Sequence, residues 1–317
     1  MSLIIKSTAT ALLIFIAAAA VSAAGIEGEP TEPIDLEVFR PSTGVWYSRS
    51  QDETGSFSAV NWGLESDVLV PADYDGDGDT DVAVWRPETG VWHIQLSSTG
   101  ASIYHYWGKT TYYPTGALPD VPVPADFDGD GLADIAVWRP DTGIWYVLFS
   151  TEDHNVAKAR YYYWGTLGDI PVPADYDGDG RTDVAVFRSW ESNWYILESL
   201  TQNVDIRNFG IAGYDRLVPA DYTGDGRTDP AVFRNGIWYT LDRTTGEIDS
   251  FHFGFPDSIA IPDDYDADGT ADHAVFRQGT WYVFQSSTAS IVSHTFGLAT
   301  DIPLASLKTK PSIVGVP

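Results

Sequence analysis

Cysteine is missing from all 317 residues of this chain. Disulfides and thiolate metal ligands are thereby excluded, and so is lipid anchoring through an N-terminal cysteine. Basic residues are scarce: 18 Lys and Arg stand against 45 Asp and Glu, a formal net charge of −27. Phosphate backbones and anionic bilayers need clustered Lys and Arg, so nucleic acid and an acidic membrane are not expected partners. Apolar runs are short. ALLIFIAAAAV, residues 11–21, is too short to span a bilayer, which takes about 20 residues. Beyond that run no segment has helical periodicity. Neither H-E-x-x-H nor G-x-S-x-G occurs, and the six histidines (His93, His105, His154, His252, His273 and His294) show no paired spacing.

What is present points to β-structure. Apolar residues make up 44% of the chain and aromatics 14%, with 29 Gly and 19 Pro, enough for a sizeable core broken by many turns. Lys6, the apolar run and the small residues of VSAAG predict an export signal over 1–24, cleaved after Ala23 or Ala24. A secreted or extracytoplasmic protein follows from it. Without disulfides, such a protein needs another source of rigidity.

One unit is written six times. A G-x-W-[YH]-like strand carries Trp46, Trp92, Trp145, Trp194, Trp238 and Trp281, at spacings of 46, 53, 49, 44 and 43 residues. An aromatic-Gly pair recurs at Trp62-Gly63, Trp107-Gly108, Trp164-Gly165, Phe209-Gly210, Phe253-Gly254 and Phe296-Gly297. A strand ending in Arg recurs at Arg40, Arg86, Arg139, Arg188, Arg234 and Arg277. Each unit has the length of a four-stranded propeller blade and reads as four short strands. Alternation in its second strand sets Val82, Val84 and Arg86 against Ala83 and Trp85. The chain enters at 34–47 on a second strand and leaves at 301–305 on a first strand. The expected fold is therefore an all-β, six-bladed propeller over 34–306, closed by one blade built from both ends. Residues 25–33 form a short N-terminal segment and 307–317 a tail.

Between the first and second strands of five units lies an aspartate loop, D-x-D-x-D-G-x-x-D. Its carboxylates are Asp73, Asp75, Asp77 and Asp81; Asp126, Asp128, Asp130 and Asp134; Asp175, Asp177, Asp179 and Asp183. The last two loops give Asp221, Thr223, Asp225 and Asp229, then Asp264, Asp266, Asp268 and Asp272. Hard oxygen donors around a Gly turn suit Ca²⁺, whereas softer metals want His or Cys. An EF-hand needs a Glu at position 12 and flanking helices, but Val84, Val137, Val186, Val232 and Val275 stand there, inside strands. Carboxylates a few ångströms apart repel by about 1 kcal/mol per pair even in water. A divalent ion turns that repulsion into a clamp. Five Ca²⁺ ions would take the formal charge from −27 to −17. At about 1 mM calcium and a dissociation constant near 0.1 mM, each site stabilises by about 1.4 kcal/mol.

These loops, with the Trp-Gly and Phe-Gly markers, resemble the FG-GAP or VCBS-type repeats found in integrin α-chain propellers. The resemblance covers about residues 34–306. It implies one Ca²⁺ between the first and second strands of each such blade. It implies no single activity, since the group includes adhesion modules, lectins and non-catalytic appendages of enzymes. Thr223, where the pattern has Asp, implies a weaker fourth site. The composite blade has SLKTK, 306–310, in place of a loop, and Glu37 in place of the recurrent Ala.

The six recurrent arginines are expected to pair with aspartates, and the six third-strand tryptophans to pack between blades. Tyrosines cluster in YHYWG (104–108), TTYYP (110–114) and RYYYWG (160–165). Such clusters stack on sugars, line interfaces or pack between sheets; Tyr112, Tyr113, Tyr161, Tyr162 and Tyr163 are the candidate ligand-binding residues. The expected function is a non-catalytic binding or adhesion module for a glycan or an extracellular protein surface. The alternatives are a propeller-fold polysaccharide lyase or hydrolase and a purely architectural envelope protein.

Overall fold

The computed structural model describes residues 35–51, 55–110 and 118–305. The export signal, the N-terminal segment, SLKTK, the tail, Tyr112 and Tyr113 lie outside the described residues. Among those described, 24 strands form six four-stranded antiparallel sheets.

The first blade holds β1 (Leu36–Arg40), β2 (Val45–Arg49) and β3 (Phe57–Asn61). The second runs β4 (Val68–Leu69), β5 (Val82–Arg86), β6 (Val91–Gln95) and β7 (Ser102–Tyr106). The third has β8 (Val121–Pro122), β9 (Ile135–Arg139), β10 (Ile144–Leu148) and β11 (Arg160–Tyr163), with 3₁₀ turns η1 (Ser150–Glu152) and η2 (Val156–Lys158) before β11. The fourth holds β12 (Ile170–Pro171), β13 (Val184–Arg188), β14 (Asn193–Leu197) and β15 (Val204–Asn208). The fifth is β16 (Arg216–Leu217), β17 (Ala231–Arg234), β18 (Ile237–Leu241) and β19 (Ile248–His252). The sixth is β20 (Ile259–Ala260), β21 (His273–Arg277), β22 (Thr280–Gln285) and β23 (Ser290–Thr295). The last strand, β24 (Ile302–Leu304), joins the first blade in the order β24-β1-β2-β3. Glu37 faces Leu304, Val38 faces Pro303 and Phe39 faces Ile302. The composite blade predicted from the two chain ends is thus observed.

Burial explains the strand sequences. Sheets stacked around a ring cover both faces of their inner strands, so Ala83, Val84 and Trp85 are all buried, although they alternate in direction. Ala83, Ala136, Ala185, Ala231 and Ala274 are each 0% exposed, because a larger side chain there would separate neighbouring sheets. Outer strands keep one wet face, as in β7, where exposed and half-buried residues alternate.

The aromatic-Gly marker has a physical cause. In every blade the third-strand Trp donates its indole N–H to the carbonyl of the marker's aromatic residue, at 2.7 to 3.1 Å. The following Gly then sits at positive φ, 115° at Gly165. A Cβ on Gly165 would come within 3.1 Å of Trp138 Nε1 and 3.3 Å of Val186 in the next blade. The valine it meets is the one at loop position 12. The last Gly of the series, Gly297, meets Val38 of the first blade in the same way, so the contact repeats across the closure.

The recurrent arginines pair with aspartates outside the metal-type loops. Arg40–Asp301, Arg86–Asp67, Arg139–Asp120, Arg188–Asp169 and Arg234–Asp215 join the end of each second strand to the residue before its first strand. In the sixth blade Arg277 takes Asp257 instead, 58% exposed, since buried Ser258 occupies the usual aspartate position. The Arg40–Asp301 pair spans the two chain ends and reinforces the closure.

Gly165→Ala combines a strained φ with overpacking and should cost about 2 kcal/mol or more in denaturant unfolding. Gly131→Ala, at φ 88° but with open space around it, should cost less. Equal losses for the two would show that the inter-blade contact adds nothing.

Candidate metal centres

Each aspartate loop is a sharp turn held by its own carboxylates. Position 1 accepts two backbone N–H groups: Asp73 Oδ1 from Gly76 at 2.6 Å and Oδ2 from Gly78 at 3.0 Å. Asp126, Asp175 and Asp221 accept the same pair, from the glycines at positions 4 and 6. Such bonds force positive φ at both turn residues, 79° at Gly76 and 86° at Gly78, which is why Gly recurs there. The fifth loop breaks this rule with Ala267, at φ 62°.

Position 9 closes the loop against its own blade. Asp81 accepts from the Tyr74 N–H at 2.8 Å and the Ser97 N–H at 2.6 Å. Asp134, Asp183 and Asp272 repeat the arrangement with Phe127 and Ser150, Tyr176 and Ser199, and Tyr265 and Ser286. Four loops bring the carboxylates of positions 1, 3 and 9 together, with one oxygen of each within 4.8 Å of the others. They are Asp73/Asp75/Asp81, Asp126/Asp128/Asp134, Asp175/Asp177/Asp183 and Asp264/Asp266/Asp272. In the remaining loop Thr223 interrupts the set, with its hydroxyl 3.4 Å from Asp221 Oδ1.

Position 5 stands outside those groups. Asp77, Asp130, Asp179, Asp225 and Asp268 accept from the N–H of position 7 and from a hydroxyl that follows the third strand. The hydroxyls are Ser97, Ser150, Ser199, Thr244 and Ser286, at 2.7 to 3.1 Å. Sequence reasoning passed over these residues. Their signal was the Ser/Thr that follows the third strand in LSST, FSTE, ESLT, DRTT and QSST.

The donor set could hold a hard cation. Every ligand offered is a carboxylate oxygen, and position 3 has spare capacity: Asp128 Oδ1 and Asp266 Oδ1 are buried with no hydrogen-bond partner. Charge without a counter-ion is costly in these loops. Burial, more than the neighbouring carboxylates, pushes Asp134 and Asp183 up to about 8, Asp229 and Asp272 to about 7, and Asp81, Asp126 and Asp175 to about 6.

Of the tyrosines singled out from sequence, β11 separates the described three. Tyr161 and Tyr163 are exposed, 52% and 80%, while Tyr162 turns inward against the cluster around Trp138 and Trp145. On β7 the same alternation exposes Tyr104 and Tyr106, 58% and 70%. Trp107 points the other way and donates its indole N–H to the Tyr146 carbonyl of the third blade.

A carboxyl whose pKa is raised on folding stabilises the fold most below its unfolded value, near 4, and loses that contribution as pH rises through the folded value. For the loop aspartates the window is about pH 4 to 8. In chelator, the melting temperature should therefore fall steadily from about pH 5 to 8.5, and saturating calcium should flatten that slope. A chelated protein whose melting point does not change over this range would contradict the burden of charge assigned to the loops.

Comparison with known proteins agrees with this architecture. Residues 73–137 and 175–232 match the FG-GAP-like repeat family. No curated protein matches the sequence. Among solved structures, a lectin from Agrocybe aegerita shares the fold at 14% identity and a TM-score of 0.57, over 92% of this chain and 99% of that one. TolB from Acinetobacter baumannii does so at 13% identity and 0.59, over 89% and 68%. Virginiamycin B lyase from Staphylococcus aureus is similar at 9% identity and 0.50, over 95% of both chains. The chain is thus a six-bladed β-propeller that carries FG-GAP-like repeats over residues 73–137 and 175–232.

Proposed function

We propose that this chain is an exported, calcium-braced propeller that binds a glycan at its rim through the outer strands of the second and third blades. Five loops hold Ca²⁺, through Asp73/Asp75/Asp77/Asp81 and the equivalent residues of the other four. The fourth loop, with Thr223, is the weakest. No helix among the described residues is long and apolar enough to cross a membrane, and the export reading rests on the sequence of residues 1–24.

The observation that carries the binding reading is the exposure of Tyr104, Tyr106, Tyr161 and Tyr163 on two neighbouring outer strands. An exposed phenol ring offers a flat apolar face for a sugar and a hydroxyl at its edge. A single exposed aromatic is unremarkable, but a pair on each of two adjacent outer strands gives each strand an aromatic face with a use. The lectin of the same fold recognises non-reducing terminal N-acetylglucosamine, so a ring of this type can present a sugar site.

Two measurements test the proposal. Calorimetry should find five calcium ions, and Thr223→Asp should tighten the weakest site several-fold. On a glycan array in millimolar calcium the protein should bind a restricted set of sugars, and Tyr106→Ala with Tyr163→Ala should weaken that binding about tenfold or more. Binding that survives both substitutions would place the site elsewhere. A blank array would favour an architectural role, and turnover of an arrayed polysaccharide an enzymatic one.

A further inference from the structure

The third blade departs from its neighbours in the connection between its third and fourth strands. Residues 149–159 link β10 to β11, where 96–101 and 198–203 suffice in the second and fourth blades. The extra length is spent on the two 3₁₀ turns, with Asp153 and His154 both at positive φ, 54° and 50°. This connection carries His154 against His105, which projects from β7 of the second blade. Their ring centroids are 4.9 Å apart and their planes 65° apart.

The pair differs from the other packed histidines. His93 lies edge-on to Tyr104, and His273 sits among Tyr222, Trp238 and Phe251. In those places the ring serves as one more aromatic. His93 and His154 both have Nε2 buried without a hydrogen-bond partner, but only His154 faces a second imidazole. No protein group competes for that nitrogen, and the neighbouring ring brings a second nitrogen donor beside it. Neutral imidazole nitrogens of this kind are common metal ligands.

We propose that His105 and His154 form a binding site for a borderline transition cation such as Zn²⁺, bridging the second and third blades. The spacing suits it. Two imidazoles on one tetrahedral zinc, each bound through a ring nitrogen at about 2.0 Å, place their centroids about 5 Å apart. Burial also keeps both rings neutral, the ligating form, with His105 lowered to about 4. The aspartate loops offer only oxygen, whereas this pair offers only nitrogen, so the two kinds of site select different ions. The site stands independently of the glycan reading.

The test uses the full chain, stripped of transition metals and kept in millimolar calcium so that the loops are occupied. Zinc titrated by calorimetry should bind at one equivalent. His105→Gln and His154→Gln should each weaken it about tenfold or more, and His252→Gln should leave it unchanged. Calcium-loaded melting temperatures near wild type would show that the variants fold. A second reading needs no variant: zinc should shift the ring resonances of His105 and His154 before those of the other four histidines. No zinc uptake by the wild-type chain, equal uptake by the double variant, or a shift that spares these two rings would each overturn the site.

Discussion

One hydrogen bond ties the acidic loops of neighbouring blades into a chain. The N–H at position 8 of each loop donates to the carbonyl at position 1 of the loop before it: Ala133 to Asp73, Thr182 to Asp126, Thr228 to Asp175 and Ala271 to Asp221, at 2.7 to 2.8 Å. Position 1 is itself a carboxylate of the candidate centre, and position 8 adjoins the carboxylate at position 9. Moving one loop therefore moves the donors of two centres. Side chains reinforce the link, since Gly129 and Gly178 lie directly against Arg181 and Arg227 at position 7 of the next loop. Local charge and the geometry of the ring are thus coupled at every joint that has a loop on both sides.

The chain uses two solutions for buried aspartate, and the contrast explains its net charge. At the start of the first strand in every blade but the sixth, an aspartate with a buried side chain, such as Asp120, meets a bidentate Arg of its own blade. Fork-shaped guanidinium suits that geometry, and the pair needs nothing from solvent. In the loops no arginine is supplied. Apart from the unpartnered Oδ1 atoms of Asp128 and Asp266, their carboxylates meet backbone N–H and hydroxyl groups, which donate hydrogen bonds but bring no full charge. Of 45 acidic residues, five with buried side chains are thus neutralised internally by the recurrent arginines, and the loop carboxylates are not. The excess of acid is a consequence of that division of labour. Loss of Arg139 would strand Asp120 in the interior, which in buried pairs costs about 3 to 5 kcal/mol.

Much of this was legible in the sequence because the repeat writes each contact six times. Trp at the third strand and aromatic-Gly after the fourth could be matched by eye before their hydrogen bond was known. Closure was legible too, since 301–305 repeats a first strand and 34–47 a second. Other features were hidden for definite reasons. Position 5 looked equivalent to positions 1, 3 and 9 by composition, but it lies outside the three-oxygen group, with its oxygens on the position 7 N–H and a hydroxyl some twenty residues later. Tyr161 to Tyr163 read as one cluster, and only strand alternation divides them into two exposed rings and one packed ring. His105 and His154 lie 49 residues apart in different units, so no local spacing could pair them. Repetition reveals what is shared between blades and conceals what belongs to one.

That last point bears on where function resides. Inner strands, loops and the Arg–Asp pairs are fixed by closure, and each blade must meet them in nearly the same way. Outer strands escape the constraint: they pair on one edge only, and their exposed positions vary from Phe57 through Tyr104 and Tyr163 to Ile206, Ile248 and Ile291. Individuality therefore collects at the rim. The aromatic strands and the enlarged connections 107–120 and 149–159 fall on the same two neighbouring blades, although the ring offers six. Nothing in closure requires that coincidence, so the departure belongs to those two blades and not to the ring.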